Sequence, residues 1–183
     1  MYKINTFHTF MNENSNFYEV INEPDFVKMI SNTEKSKVYL TTNGKIKKVF
    51  KNQDDYDFKL AKEFFPTNPE LFPIIYDITD NTITMEHLST NKAKIEYNKL
   101  NRFFKKNYNK TVYKFLYKDH SENIEIPLPL PPYLPEDINM LFIKFRTLIY
   151  KIDKIVGHKT SLLDIHADNF GYDNYGNLKM LDI

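Results

Sequence analysis

The spacing of apolar and polar positions changes along the chain, and the change separates a strand-rich first half from a helical second half. Val38-Tyr39-Leu40-Thr41-Thr42 is rich in β-branched and aromatic residues and predicts a strand. Asn43-Gly44 follows as a two-residue hairpin turn, since both residue types tolerate positive φ. The return strand runs from Lys45 to Lys51, with Ile46, Lys48 and Phe50 on one face. Asp54 to Phe65 predicts a short amphipathic helix stopped by Pro66. Phe72 to Tyr76 and Ile83 to Met85 then pair as a second hairpin through Asp80-Asn81.

Beyond this point the period is helical. Ala93, Tyr97, Leu100 and Phe104 share one helix face. A stiff, extended, proline-rich connector covers Ile126 to Pro135. The clearest helix follows it. Glu136 and Asp137 suit the positive end of a helix dipole, and Pro135 suits its first turn. Ile138, Leu141, Phe142, Phe145, Leu148, Ile149, Ile152 and Val156 form a continuous apolar stripe that has to be buried, and Gly157 is placed to end it.

Composition narrows the picture. With 183 residues, 42% of them apolar, the chain is long enough for one globular domain or two small lobes sharing a cleft. A formal net charge of +1 gives no overall bias toward nucleic acid. The absence of cysteine excludes disulfides and thiolate metal sites and fits a reducing cytoplasm. No apolar run is long enough to span a bilayer, and Met1-Tyr2-Lys3 does not open a secretory signal.

Candidate chemistry concentrates at the far end. Asp164, His166, Asp168 and Asn169 precede Phe170-Gly171-Tyr172, a turn-forming run from Asp173 to Asn177, and Leu178 to Asp182. A loop followed by a β-hairpin is the natural reading. Paired strands lie ~4.8 Å apart, so the hairpin returns Asp182 to the neighbourhood of Asn169, with Asp164 one tight loop earlier. Converging oxygen ligands of this kind suit Mg²⁺.

These residues resemble the protein-kinase and aminoglycoside-phosphotransferase superfamily. Asp164-x-His166-x-x-Asn169 is similar to the D-x-H-x-x-N catalytic loop of small-molecule kinases, and Leu181-Asp182-Ile183 to the strand ending in the second metal-binding aspartate. Ser36-Lys37-Val38-Tyr39, Asn43-Gly44 and Lys45 to Phe50 resemble the first hairpin and lysine strand, and Ile83 to Leu88 the strand entering the interlobe hinge. The likeness covers roughly residues 20 to 183 and points to the small kinase-like proteins of bacteriophages and bacteria. It implies an α+β, two-lobed kinase-like fold. A small β-rich N-lobe would span 1–86. A reduced, mostly helical C-lobe would span 87–183 and end after the catalytic-loop hairpin, without the activation segment and later helices of protein kinases.

The resemblance also implies roles. Asp164 would accept the proton of the attacking hydroxyl, Asn169 and Asp182 would hold Mg²⁺, and Lys48 would contact the phosphates of ATP, with Lys47 as the alternative. Glu63 would pair with that lysine, with Asp57 competing, and Glu86 to Leu88 would offer backbone groups to the adenine. His166 is read as structural, and His8, His87, His120 and His158 show no ligand spacing. Two departures stand out. No glycine occurs from Ser31 to Val38, where the family has its glycine-rich loop, and Leu162 stands where a histidine usually precedes the catalytic aspartate.

Three functions follow as expectations. The first is an ATP- and Mg²⁺-dependent phosphotransferase acting on a protein or small-molecule acceptor, cytoplasmic, and in a host cytoplasm if phage-encoded. The second is a catalytically silent kinase-like fold that binds a partner such as a host protein. The third is a nucleic-acid-binding module built on Lys92 to Lys118, where Lys92, Lys94, Lys99, Arg102, Lys105, Lys106, Lys110, Lys114 and Lys118 alternate with aromatic residues. The preferred reading of that segment is a solvated basic face whose aromatics pack inward.

Overall fold

The computed structural model describes residues 25–116, 133–157 and 165–182. Asp164, Leu162, His8, His120, His158, most of the proline-rich connector and the last two residues of the basic segment lie outside these ranges. The fold is mixed α and β. Strands β1 (Phe26–Asn32), β2 (Ser36–Thr41), β3 (Ile46–Phe50), β4 (Ile75–Thr79) and β5 (Thr82–Met85) form an antiparallel sheet in the order β1-β2-β3-β5-β4.

The β2–β3 hairpin is where the sequence expects it, but its turn is longer than two residues. Only Gly44 has positive φ, at 76°, and Asn43 does not. Gly44 N–H donates to the Thr41 carbonyl at 3.0 Å and Thr41 N–H donates to the Lys45 carbonyl at 2.9 Å. A glycine in this left-handed position closes a three-residue loop with a bulge, which keeps the strand twist without straining Asn43. The Thr41 hydroxyl reinforces the loop by donating to the Asn43 side chain at 2.6 Å.

Helix α1 (Tyr56–Phe64) leaves β3 and covers the sheet. The Asp55 carboxylate accepts from Asp57 N–H at 2.9 Å and caps the first turn, and Pro66 prevents a further turn. Phe58, Leu60 and Ala61 face the core, with the Phe58 ring 5.1 Å from Phe50.

The second half contains α2 (Thr90–Tyr108), the single turn α3 (Tyr113–Leu116), α4 (Glu136–Val156), a 3₁₀ turn at Ala167–Asn169, and the hairpin strands β6 (Phe170–Tyr172) and β7 (Leu178–Met180). The expected face of α2 is the buried one: Ala93, Tyr97, Leu100 and Phe104. The α4 stripe is buried too, apart from Leu141, which is partly covered, and Gly157 ends the helix with φ 64°. Each large side chain buried in this way contributes about 1.5–3 kcal/mol. Tyr97, Phe145 and Phe170 form a ring cluster with centroids 5.0–5.6 Å apart, which packs α2, α4 and β6 on one another.

The two halves share one continuous hydrophobic core. A main-chain bond also joins them. Met180 N–H of β7 donates to the Leu71 carbonyl at 2.9 Å, and within the second half Ser89, just before α2, exchanges two bonds of 2.8 and 2.9 Å with Tyr172. Among the described residues no helix is long and apolar enough to cross a membrane.

Candidate functional site

A cleft opens where the sheet meets the helical half. Its volume is about 1080 Å³, at the upper end of the range for small-molecule sites. Its lining comes from five places in the sequence: the β1–β2 turn, Lys48 of β3, the start of α1, the segment after β5, and the 167–169 turn with Asp182.

Lys48 and Asp182 meet inside it. Lys48 Nζ lies 2.6 Å from Asp182 Oδ2, a contact between residues 134 positions apart. The lysine is nearly buried, whereas the Asp182 side chain is 37% exposed and open to the cleft. The neighbouring Lys47 sits on the other face of the strand, 5.3 Å from the Phe26 ring. Strand period therefore distinguishes the two lysines: only Lys48 lines the cleft.

Asp182 is held by the hairpin. Leu181 N–H donates to the Asn169 carbonyl at 2.8 Å, so Asp182 lies beside Asn169 as the hairpin geometry predicts, and both line the cleft. The 167–169 turn is fixed from two sides. Asp168 N–H donates to His166 Nδ1 at 3.2 Å, and the Tyr97 hydroxyl donates to the Ile165 carbonyl at 3.0 Å from beneath. His166 thus has the structural contact expected of it. Tyr97 does more than fill the core, because it anchors the residue that directly follows Asp164. Asp168, which the motif leaves unassigned, lines the cleft and is ion-paired with Lys94 of α2.

The segment after β5 differs from expectation at Glu86. Its backbone N–H donates to the Ile74 carbonyl at 2.8 Å, so that donor is already used within the protein. Its side chain points into the interior, where Oε2 accepts from Lys179 Nζ at 2.8 Å and from Ile74 N–H at 3.2 Å. Lys179 also lies 3.3 Å from Asp173. All three side chains are at least nine-tenths buried. Burial pushes the Asp173 carboxyl upward, but hydrogen bonds from the Asn177 side chain and backbone outweigh it and hold the group below the usual carboxylate range. Glu86 is an anchor rather than part of the cleft wall, which is formed here by Met85, His87 and Leu88. Leu88 is clamped from behind. A Cβ built on Gly171 would stand 2.5 Å from Leu88 Cβ, so only glycine lets β6 approach this closely.

Glu63 does not partner Lys48. It is exposed on α1 and does not line the cleft, while Lys48 bonds to Asp182. The carboxylate that α1 brings to the cleft is Asp57, and it bonds Lys35 of the β1–β2 turn at 2.9 Å. That turn takes the place expected for a glycine-rich loop. It is tight: Thr33 N–H and its hydroxyl both reach the Ser36 carbonyl, at 2.9 and 3.1 Å, and Ser36 N–H returns a bond to the Thr33 hydroxyl at 3.0 Å. The Thr33 side chain thus closes a turn whose tip is Glu34-Lys35. Nothing in the pattern of apolar residues marks Lys35, because its partners belong to other elements.

The basic segment has its aromatics turned inward. Tyr97, Phe104 and Phe115 are buried, and Phe103, Tyr108 and Tyr113 are half-buried against them. Phe103, Phe104, Tyr108 and Phe115 meet one another in tilted and edge-to-face contacts.

Oxygen ligands for a cation are present in the cleft, but few. Among the described residues no cluster of three or more acidic or histidine side chains is built to hold a metal alone. Asn169 and Asp182 both line the cleft, and each carries a side-chain oxygen. Mg²⁺ typically takes one or two carboxylates and completes its shell with water and phosphate, so this pair fits a metal that arrives with a nucleotide.

No known protein-family profile and no curated protein matches this chain. Among solved structures, the chain is similar to APH(2″)-IIa in its ternary complex with streptomycin and ATP. The identity is 16%, the match covers 93% of this chain and 73% of the other, and the TM-score is 0.33. A superposition this loose decides neither fold family nor activity.

Proposed function

We propose that the protein is a kinase-like phosphotransferase, with a β-rich lobe over 1–86 and a helical lobe over 87–183, that binds ATP with Mg²⁺ in the cleft between them. The observation that carries this reading is the contact of Lys48 with Asp182 at 2.6 Å beside Asn169. A nearly buried lysine in contact with a more exposed carboxylate, both lining one cleft, suits a site where the lysine turns to phosphate and the carboxylate to metal when a nucleotide enters. Charge balance points the same way. The lining contains Glu34, Asp57, Asp168 and Asp182 against Lys35 and Lys48. Four carboxylates to two lysines would repel a bare triphosphate, so a divalent cation is needed to reconcile the two.

In this reading Lys48 binds the α and β phosphates, and Asn169 and Asp182 hold the metal. The metal, when bound, neutralises charge developing on the phosphate oxygens. Asp164 accepts the hydroxyl proton of the acceptor, Tyr97 positions its loop, and Leu88 and His87 border the adenine. A second reading, a nucleotide-binding fold that transfers nothing, is favoured by one feature: Asp57 bonds Lys35, so α1 supplies no carboxylate to orient Lys48.

Substitutions at the two aspartates separate these roles. Asp182→Asn is expected to weaken Mg²⁺-dependent ATP binding and lower turnover with it, read as ADP release. Asp164→Asn is expected to bind ATP normally and release ADP at least 100-fold more slowly, within the range for loss of a catalytic base. Wild-type turnover by Asp164→Asn would refute the catalytic assignment. ATP binding with no turnover in the wild type would favour the second reading.

A further inference from the structure

We infer that Lys35, at the tip of the β1–β2 turn, is a second phosphate-binding cation of the cleft and does with a side chain what a glycine-rich loop does with backbone amides. The inference rests on the nucleotide reading above and adds a residue that the family pattern does not contain.

The turn spends two of its amides on itself. Thr33 and Ser36 use their N–H groups on one another, and a non-glycine backbone with side chains cannot approach a phosphate as closely as glycine does. What the turn projects is Lys35. It lines the cleft with Lys48, and its ammonium is held there by Asp57 at 2.9 Å. Asp57 does most to raise the lysine's proton affinity, through its hydrogen bond and its charge, and Asp182 adds to it from within the cleft. Lys35 is therefore within electrostatic reach of the same carboxylate that Lys48 bonds.

The hold of Asp57 is loose. The Lys35 side chain is 64% exposed, and an exposed ion pair of this kind contributes little, so exchanging the carboxylate for a phosphate tail of higher charge costs little. Asp57 acts as a placeholder that keeps a flexible lysine aimed into the cleft, and it competes with the phosphates for the same ammonium.

Calorimetric titration of the full chain with adenosine, and with ATP plus Mg²⁺, tests this. Lys35→Ala is expected to weaken ATP binding about tenfold and leave adenosine binding unchanged, as loss of one charge-assisted bond implies. Asp57→Asn is expected to tighten ATP binding two- to threefold, on the order of one modest exposed ion pair, because a competing negative charge is gone. If Lys35→Ala binds ATP as the wild type does, Lys35 is not a ligand, and the cleft reading stands without it. If Asp57→Asn loses as much affinity as Lys35→Ala, the pair is only a brace between turn and helix, and the inference is wrong. If the wild type binds neither ATP nor adenosine, the cleft reading fails and this inference with it.

Discussion

Lys179 is held between two carboxylates where almost no water reaches. Its ammonium contacts both Glu86 beside the cleft and Asp173 in the β6–β7 turn, so one side chain joins the strand before the cleft to the hairpin that ends in Asp182. Removing one member of a buried ion network leaves the others uncompensated. Lys179→Met is therefore expected to destabilise the fold by about 3–5 kcal/mol, as measured by urea unfolding. A loss under about 1 kcal/mol would mean that the network is not fully desolvated. The same residues set a pH dependence. Asp173 has its carboxyl held below the ordinary value in the folded state, so the unfolded chain takes up its proton first as pH falls. Its contribution to stability is complete above the unfolded value of about 4 and is lost as pH falls through the lower folded value. Unfolding titrations from pH 6 to pH 2 should show that loss for the wild type and a shallower one for Asp173→Asn. Lys48 and Lys179 show what a sequence reveals at this scale. Lys48 is legible because strand alternation puts it on a face with Ile46 and Phe50. Lys179 is not, because its partners lie 93 and 6 positions away and nothing local separates it from a surface lysine. Glu63 is the converse case: helix placement suggested a partner, but the position of the helix gives that role to no α1 carboxylate.

At the scale of elements, period decided most of what was legible. The α2 and α4 faces, the β2–β3 hairpin, the turn at Asp80-Asn81 and the stop at Pro66 all follow from spacing and breakers, because burial of one face has to be written in the chain, whereas the strand before that turn covers Ile75–Thr79 and not Phe72–Tyr76, and β1 was not expected. Turn chemistry was legible only in kind. Asn43-Gly44 marks a hairpin, yet the Thr41 hydroxyl and the single left-handed residue Gly44 select a longer loop. Close approach between elements was not legible at all, and Gly171 is the example. Its conformation needs no glycine, but the gap to Leu88 does. Gly171→Ala is expected to cost about 1–3 kcal/mol by overpacking and to weaken adenosine binding by pushing Leu88 toward the cleft. Adenosine affinity equal to wild type in a folded variant would show that the β6 contact does not set the position of Leu88.

Among the described residues a strand half and a helical half share one core, and Lys35, Lys48, Asp57, Asp168 and Asp182 line the cleft where they meet. The cleft was only partly legible. Asn169 and Asp182 were read from motif spacing and Lys48 from strand alternation, and Asp57 was named only as a partner for Lys48, while Lys35 and Asp168 enter through the packing of distant elements. In the proposed function this junction holds ATP with its metal through the Lys48–Asp182 pair. The most direct measurement is the equilibrium affinity for ATP with and without Mg²⁺, in the wild type and in Lys48→Ala. Binding is expected in the micromolar to millimolar range with Mg²⁺, at least about tenfold weaker when Mg²⁺ is withheld or Lys48 is removed. Absence of binding at millimolar ATP with Mg²⁺, or binding indifferent to both the metal and Lys48, would contradict the proposed function.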